Sequence, residues 1–146
     1  MEKLITAHIK NYKDLSDKSI LTSIPGVGDK TIAIVLAFLS NVQNFDSTKQ
    51  MVAFVGLNPK PRQSGTSVRG TGRISKTGDA RLRKSLFMPA LSSIRYNPII
   101  KEFAKRLDNA EKAKMTIVIA TMRKLLHIIY GVLKNNTLFN EKITAV

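Results

Sequence analysis

The chain contains no cysteine and few histidines. The absence of cysteine among 146 residues excludes a disulfide framework and a cysteine-ligated zinc site. The two histidines, His8 and His127, are too few for a histidine-rich metal site, and we expect no metal ligands in this chain. A protein without cysteine fits a reducing compartment, so we expect it in the cytoplasm.

Long hydrophobic runs are also absent. The longest stretch without a charged residue runs from Thr31 to Phe45, which is short of the roughly 20 apolar residues needed to cross a bilayer. The N-terminus shows no charged and then apolar signal with a small-residue cleavage site. We therefore expect no membrane partner.

Acidic residues are scarce relative to basic ones. There are 24 Lys and Arg against 10 Asp and Glu, which gives a formal net charge of +14. A compact domain with this excess repels itself unless a polyanion neutralises it, and nucleic acid is the commonest such partner. The length and the 43% content of hydrophobic residues are those of one globular domain.

The apolar residues recur mostly at helical spacing, so the sequence predicts a mainly α domain. The exception is an irregular Gly/Arg-rich loop near the middle of the chain, where a ragged β-hairpin around Val68 to Ser75 is the alternative. The predicted helices cover residues 1–12, 15–24 and 29–40, a segment capped by Asp46 or Ser47 and ended by Gly56, a segment after Asp79 kinked at Pro89, Asn97 to Leu107, and Lys112 to Lys134.

Two predicted helices meet at Pro25-Gly26-Val27-Gly28, a pattern that resembles the helix-hairpin-helix motif of DNA-binding proteins. Glycines allow a tight turn, and the N–H groups of the turn and of the next helix can bind a phosphate oxygen. Lys30 would add a positive charge. The alternative is a plain helix–helix turn whose glycines serve packing alone.

The second motif is the basic segment, residues 60–85, which has eight Lys and Arg and a single acid, Asp79. Six hydroxyl residues precede that acid: Ser64, Thr66, Ser67, Thr71, Ser75 and Thr77. A serine can attack a phosphodiester when cations stabilise charge on the phosphate and a base accepts the proton. The segment offers arginines for the first task but no acceptor other than Asp79. Composition alone therefore favours a flexible loop that grips phosphates.

Several segments together resemble the C-terminal domain of bacterial insertion-sequence transposases of the IS-one-ten and IS-one-sixteen type, the bridge-RNA-guided recombinases. They are "SIPGVG", "MVAFVGLNP", "SGTSVRGTGRISKTGDARLRKSL", "YNPIIKEFAKRL" and "IATMRKLLHIIYGVLKN". The resemblance covers roughly residues 15–138, with residues 1–14 similar to the end of a linking helix and residues 139–146 left as a tail.

This resemblance implies a serine-nucleophile DNA recombinase. Ser64, in the "SG" pair, would form a covalent link to a DNA 5′ phosphate, and Gly65 would let the strand approach closely. Cations of the loop would hold the scissile phosphate and its neighbours. The complete set of expected DNA-binding residues is Gly26, Val27, Gly28, Lys30, Arg62, Gly65, Arg69, Arg73, Lys76, Arg81 and Arg83.

The sequence departs from the family in one respect. Complete members carry an N-terminal RuvC-like domain whose acidic cluster binds divalent metal, expected to be Mg²⁺, and the acids here are scattered instead. We expect this chain alone to be weak or inactive in cleavage, and to act with that domain, DNA, guide RNA and further copies of itself in a bacterial cytoplasm. The alternative is a non-catalytic module that binds the backbone of DNA or structured RNA.

Overall fold

The computed structural model describes residues 16–39, 42–60, 73–74 and 78–144. The predicted helix over 1–12, the linking segment 1–14 and Ser64 lie outside these ranges. The chain is mainly α, as predicted. In order, the elements are α1 (16–22), α2 (Asp29–Leu39), a 3-10 turn (Val42–Asn44), α3 (Thr48–Val55), β1 (Pro59–Lys60), β2 (Arg73–Ile74), α4 (Ala80–Ser85), α5 (Phe87–Tyr96), α6 (Pro98–Asn109), α7 (Lys114–Asn135) and α8 (Glu141–Thr144).

Helix α7 lies at the centre of the fold, with α3, α5 and α6 packed against it. Its apolar face is buried, including Leu125, Leu126 and Ile129 with no exposed surface. By length and composition α7 could cross a membrane, but a buried core helix meets the same criteria, and α7 contributes nine buried residues here. Its hydrophobicity is therefore explained by packing.

Side-chain caps fix where α3 and α6 begin. The Ser47 hydroxyl accepts a hydrogen bond from the Gln50 N–H, which begins α3, and Gly56 ends that helix at φ 80°. The Asn97 Oδ1 accepts from the N–H groups of Ile99 and Ile100, with Pro98 in the first turn of α6. These boundaries confirm the caps predicted from the sequence, and they satisfy N–H groups that have no partner within the helix.

The prediction of one helix kinked at Pro89 is wrong in position. The break lies at Leu86, whose N–H bonds the carbonyl of Arg83, so that α4 ends before Pro89. Pro89 is the third residue of α5 and is buried there. Its missing N–H has no consequence, because N–H groups in the first turn of a helix have no intrahelical acceptor.

The two short strands lie at the start and in the middle of the basic segment. β1 pairs with β2 in antiparallel register, Pro59 with Ile74 and Lys60 with Arg73. A hairpin is therefore present, but its first strand precedes the predicted Val68 to Ser75. Ile74 packs against the apolar core, which explains why pairing occurs at this point.

Gly78 holds the basic segment against the end of α3. A Cβ built on Gly78 would overlap the Phe54 carbonyl oxygen and the backbone of Gly56, so the two backbones touch directly. The Asp79 N–H then donates to the Phe54 carbonyl at 3.2 Å. No residue with a side chain fits at position 78 without displacing the end of α3.

We predict that Gly78→Ala destabilises the protein by about 1–3 kcal/mol or more, because the added methyl group overlaps backbone that cannot rotate away. Gly131→Ala is the matched control. Gly131 lies inside α7 with nothing within 4 Å of the place a methyl group would take, so alanine should stabilise by up to about 1 kcal/mol through helix propensity. Urea unfolding monitored by circular dichroism measures both, and equal stability of the two variants would contradict the close approach.

Candidate nucleic-acid interface

The glycine-rich turn between α1 and α2 is held by its own backbone. The Ile24 carbonyl accepts from the Val27 N–H at 3.3 Å, and Gly26 adopts φ 94°, which L side chains rarely adopt. The Gly28 carbonyl accepts from the Ile32 N–H at 3.0 Å, so Gly28 directly precedes the first turn of α2. The N–H groups that open α2 therefore begin at the end of this turn.

The two glycines of the turn have different surroundings. A Cβ on Gly26 would lie 2.6 Å from the Ser93 Oγ and 2.7 Å from the Ser93 Cα, so Gly26 is needed for packing against α5. Nothing lies within 4 Å of a Cβ on Gly28, which is exposed. Packing thus accounts for Gly26, whereas Gly28 remains the position where a ligand backbone could approach.

Asn97 ties the turn to the rest of the domain. While its Oδ1 caps α6, its Nδ2 donates to the Pro25 carbonyl at 3.4 Å, and the side chain is fully buried. The sequence indicated the cap but gave no signal for the second contact, because Pro25 is 72 residues away. Val27 packs partly against the core, and Lys30 is exposed next to Asp29 in the first turn of α2.

The structure describes the end of the basic segment, from Gly78 through helix α4. Asp79 caps this helix, accepting from the N–H groups of Arg81 and Leu82 at 2.9 and 3.1 Å. The Arg81 side chain is 82% exposed, lies 3.8 Å from the Asp79 carboxylate and stacks 5.3 Å from the centre of the Phe38 ring. Arg81 is therefore held at the surface by weak contacts and is accessible to a ligand.

Arg83 has a structural contact instead. Its Nη1 donates to the Val55 carbonyl at 3.3 Å, at the C-terminal end of α3, where a cation also interacts favourably with the helix dipole. Arg73 lies in β2. The remaining loop residues expected to bind DNA, and the expected nucleophile, lie outside the described residues: Arg62, Ser64, Gly65, Arg69 and Lys76.

Helix α2 relates the two parts of the candidate interface. The glycine turn lies at its N-terminal end, and Phe38, against which Arg81 stacks, lies near its C-terminal end. The 11 residues of α2 span about 16 Å at 1.5 Å per residue. The turn and α4 therefore stand apart by a distance that covers several phosphates of one DNA strand, whose charges are spaced about 3.4 Å along the axis.

A second group of cations lies on α6 and α7. The guanidinium of Arg106 and the ammonium of Lys124 lie 5.7 and 5.9 Å from the centre of the Phe103 ring. Lys124 also lines a groove of 240 Å³ with His127, Asn135 and Asn140. Phe103 carried no signal of its own in the sequence.

His127 is affected by burial and by the charges of Lys124 and Arg123. Partial burial lowers its pKa below 6.5, and the nearby charges of Lys124 and Arg123 lower it further. The imidazole is therefore neutral at pH 7. The folded state binds the imidazole proton less well than the unfolded state, so protonation of His127 destabilises the fold. The free energy of unfolding therefore falls as the pH drops below about 6.5.

Acidic and histidine side chains do not gather into a metal site in the part of the chain that the structure describes. No group of three His, Asp or Glu residues there is placed so that it could hold a metal ion.

A strongly basic, mainly α domain with an open glycine turn has the features expected of a nucleic-acid-binding domain. The sequence model of the Transposase IS116/IS110/IS902 family matches residues 18–105, which is more than half of the chain. The chain belongs to this family. The matched range includes the glycine turn, the whole basic segment and Ser64.

Named relatives cover most of this chain. The pilin gene-inverting proteins of Moraxella lacunata and Moraxella bovis are each 40% identical over 127 residues, covering 86% of this chain and 39% of the relative. An insertion element IS110 protein of Streptomyces coelicolor is 24% identical over 126 residues, covering 86% of this chain and 31% of the relative. The chain thus spans less than half the length of these relatives.

We predict that Lys124→Gln raises the pKa of His127 towards 6.5, because it removes one of the two cations that oppose protonation. Lys124→Arg keeps the charge and should leave the pKa lowered. Titration of the imidazole resonances by NMR measures both variants, with His8 as the second histidine to be assigned. An unchanged pKa in Lys124→Gln would show that the charge of Lys124 does not contribute to the shift.

Proposed function

We propose that this chain is the DNA-binding and serine-nucleophile domain of a transposase that cleaves and rejoins DNA strands. The observation that carries the proposal is the family match over residues 18–105, since this range contains both the glycine turn and the "SG" pair at Ser64. The names of the Moraxella relatives refer to the inversion of a pilin gene, which is a rearrangement of DNA and agrees with this chemistry.

The proposed reaction is a transesterification. The Ser64 Oγ attacks a phosphorus atom, the bond from phosphorus to the 3′ oxygen breaks, and the DNA 5′ phosphate becomes esterified to serine. The serine proton passes to a base, and the departing 3′ oxygen takes up a proton to become a hydroxyl. Attack of a 3′ hydroxyl on the phosphoserine then rejoins a strand and releases the serine, so no net hydrolysis occurs.

Cations support this step by stabilising charge on the phosphate oxygens. Arg81 is exposed at the start of α4, and an arginine offers paired donors to phosphate. Gly28 leaves the N-terminal end of α2 open for a second phosphate. Neither contact reads a base, so the proposed role of these residues is to position the DNA.

The base that accepts the serine proton is expected from another domain. Asp79 is the single acid of the basic segment, and its carboxylate already accepts two backbone hydrogen bonds and faces Arg81. We therefore include in the proposal a RuvC-like domain with bound divalent metal, a guide RNA and further copies of the chain. Without that domain, the chain is expected to bind DNA and to cleave it weakly or not at all.

The Asp79 carboxylate is already hydrogen-bonded and faces Arg81, so it is poorly placed to act as a base. This favours the second candidate function, a non-catalytic module. In that case the loop hydroxyls and arginines serve only as donors to the backbone of DNA or structured RNA. Both functions predict binding whose affinity falls by about 0.9 log unit per phosphate contact for each tenfold rise in salt on duplex DNA. Covalent capture distinguishes them.

We predict that the chain, mixed with the metal-binding domain, guide RNA and target DNA, forms a protein–DNA adduct that survives denaturing electrophoresis. Ser64→Ala should abolish the adduct, because no oxygen remains to form the ester. Ser67→Ala, which removes another hydroxyl of the same loop, is the matched control and should retain it. An adduct that persists in Ser64→Ala and disappears in Ser67→Ala would reassign the nucleophile, and DNA binding without any adduct would favour the non-catalytic module.

We also predict that Gly28→Ala weakens binding to DNA of any sequence by about 10-fold or more, because its methyl group keeps a phosphate from the N–H groups, and a hydrogen bond to a charged group contributes about 1.5–3 kcal/mol. Space is open around Gly28, so the fold should be unaffected. Gly26→Ala, by contrast, should unfold the turn. Fluorescence anisotropy with labelled duplexes measures the affinity, and unchanged binding by folded Gly28→Ala would assign this glycine to the turn alone.

A further inference from the structure

Tyr96 is an aromatic residue that the fold leaves exposed. It is the last residue of α5 and 70% of it is exposed, more than any other large hydrophobic residue in the described ranges. Single exposed hydrophobic residues are ordinary, so the argument depends on where this one lies.

Tyr96 lies next to the two residues that hold the glycine turn. Ser93 contacts Gly26, and Asn97 donates to the Pro25 carbonyl. On a helix, positions three and four apart are neighbours, with Cβ atoms about 5–6 Å from each other. Tyr96 is three residues after Ser93 and directly before Asn97, so its position on α5 borders the surface that meets the turn.

The chemistry of this edge complements that of the turn. The N–H groups after Gly28 can hold a phosphate but cannot distinguish or grip a base. An aromatic ring can hold a base, because its face stacks on any base, but it has no charge with which to hold a phosphate. Arg95, exposed beside it on the last turn of α5, adds a cation to the same end of the helix. A strand bound at the turn would thus meet a backbone donor and a ring in succession.

We propose that Tyr96 forms a stacking site for an unpaired base of the DNA strand whose backbone is held at the Gly26 to Gly28 turn. The base must be unpaired, since both faces of a base inside a duplex are covered by its neighbours. The inference rests on the proposed function for the identity of the ligand as DNA, and for the unpaired strands that cleavage and rejoining create.

The test compares two DNA probes with the 146-residue chain. One is an intact duplex, and the other is the same duplex with a short single-stranded gap that contains 2-aminopurine, whose fluorescence falls on stacking. Tyr96→Ala should bind the gapped DNA about 5- to 100-fold more weakly than the wild type and should bind the intact duplex equally well. Tyr96→Phe keeps the ring and should behave as the wild type in both affinity and quenching.

Met88→Ala is the matched control, because Met88 lies on the same helix, is 65% exposed and is five residues from Ser93, on another face. It should change neither affinity. Equal binding of gapped DNA by Tyr96→Ala and the wild type would overturn the inference, as would an equal loss on both probes. Failure of the wild type to bind either probe would overturn the DNA-binding proposal as well. Loss of the Ser64-dependent adduct alone would leave the stacking result standing.

Discussion

The contact between Gly78 and Gly56 is the constraint on which the candidate interface depends. It holds the basic segment directly against the end of α3. From that point Asp79 can bond the Phe54 carbonyl with its N–H and cap α4 with its carboxylate. Helix α4 in turn brings Arg83 to the carbonyl of Val55. A side chain at either glycine would move the frame that supports the loop.

A second backbone contact fixes the other end of the interface. Gly26 lies against Ser93, and Asn97 bonds Pro25, so the glycine turn cannot change its angle to α5 without breaking both. The glycine turn is thus attached to α5, and the end of the basic segment is attached to α3. A rigid arrangement of this kind suits residues that must hold phosphates at fixed separations, because little order is lost on binding.

The local features of the fold could be predicted, and the tertiary ones could not. Ser47 and Asn97 were recognisable as caps because a cap acts within three residues of itself. The sequence predicts a kink at Pro89, because proline usually interrupts a helix. The break lies at Leu86 instead, and Pro89 is tolerated in the first turn of α5. The contacts of Gly26 with Ser93 and of Gly78 with Gly56 join residues distant in sequence, and periodicity carries no information about such pairs. The candidate site residues were proposed from motif resemblance, and the structure divides those that it describes into packing and accessible positions.

The distinction between packing and accessible positions matters, because an arginine or a glycine can either stabilise the fold or remain open to a ligand. Arg83 donates to the end of α3, whereas Arg81, two residues earlier, is exposed and only loosely paired. Gly26 is enclosed, whereas Gly28 is open. With 24 Lys and Arg against 10 Asp and Glu, most of the basic side chains cannot each have an acid to neutralise them. Burial lowers the pKa of His127 most, and the charges of Lys124 and Arg123 lower it further, so the same excess acts on this residue in part. A domain with so large a surplus of cations is stabilised by a bound polyanion. Gly28 and Arg81 are left open, and we propose that a DNA backbone contacts the domain there.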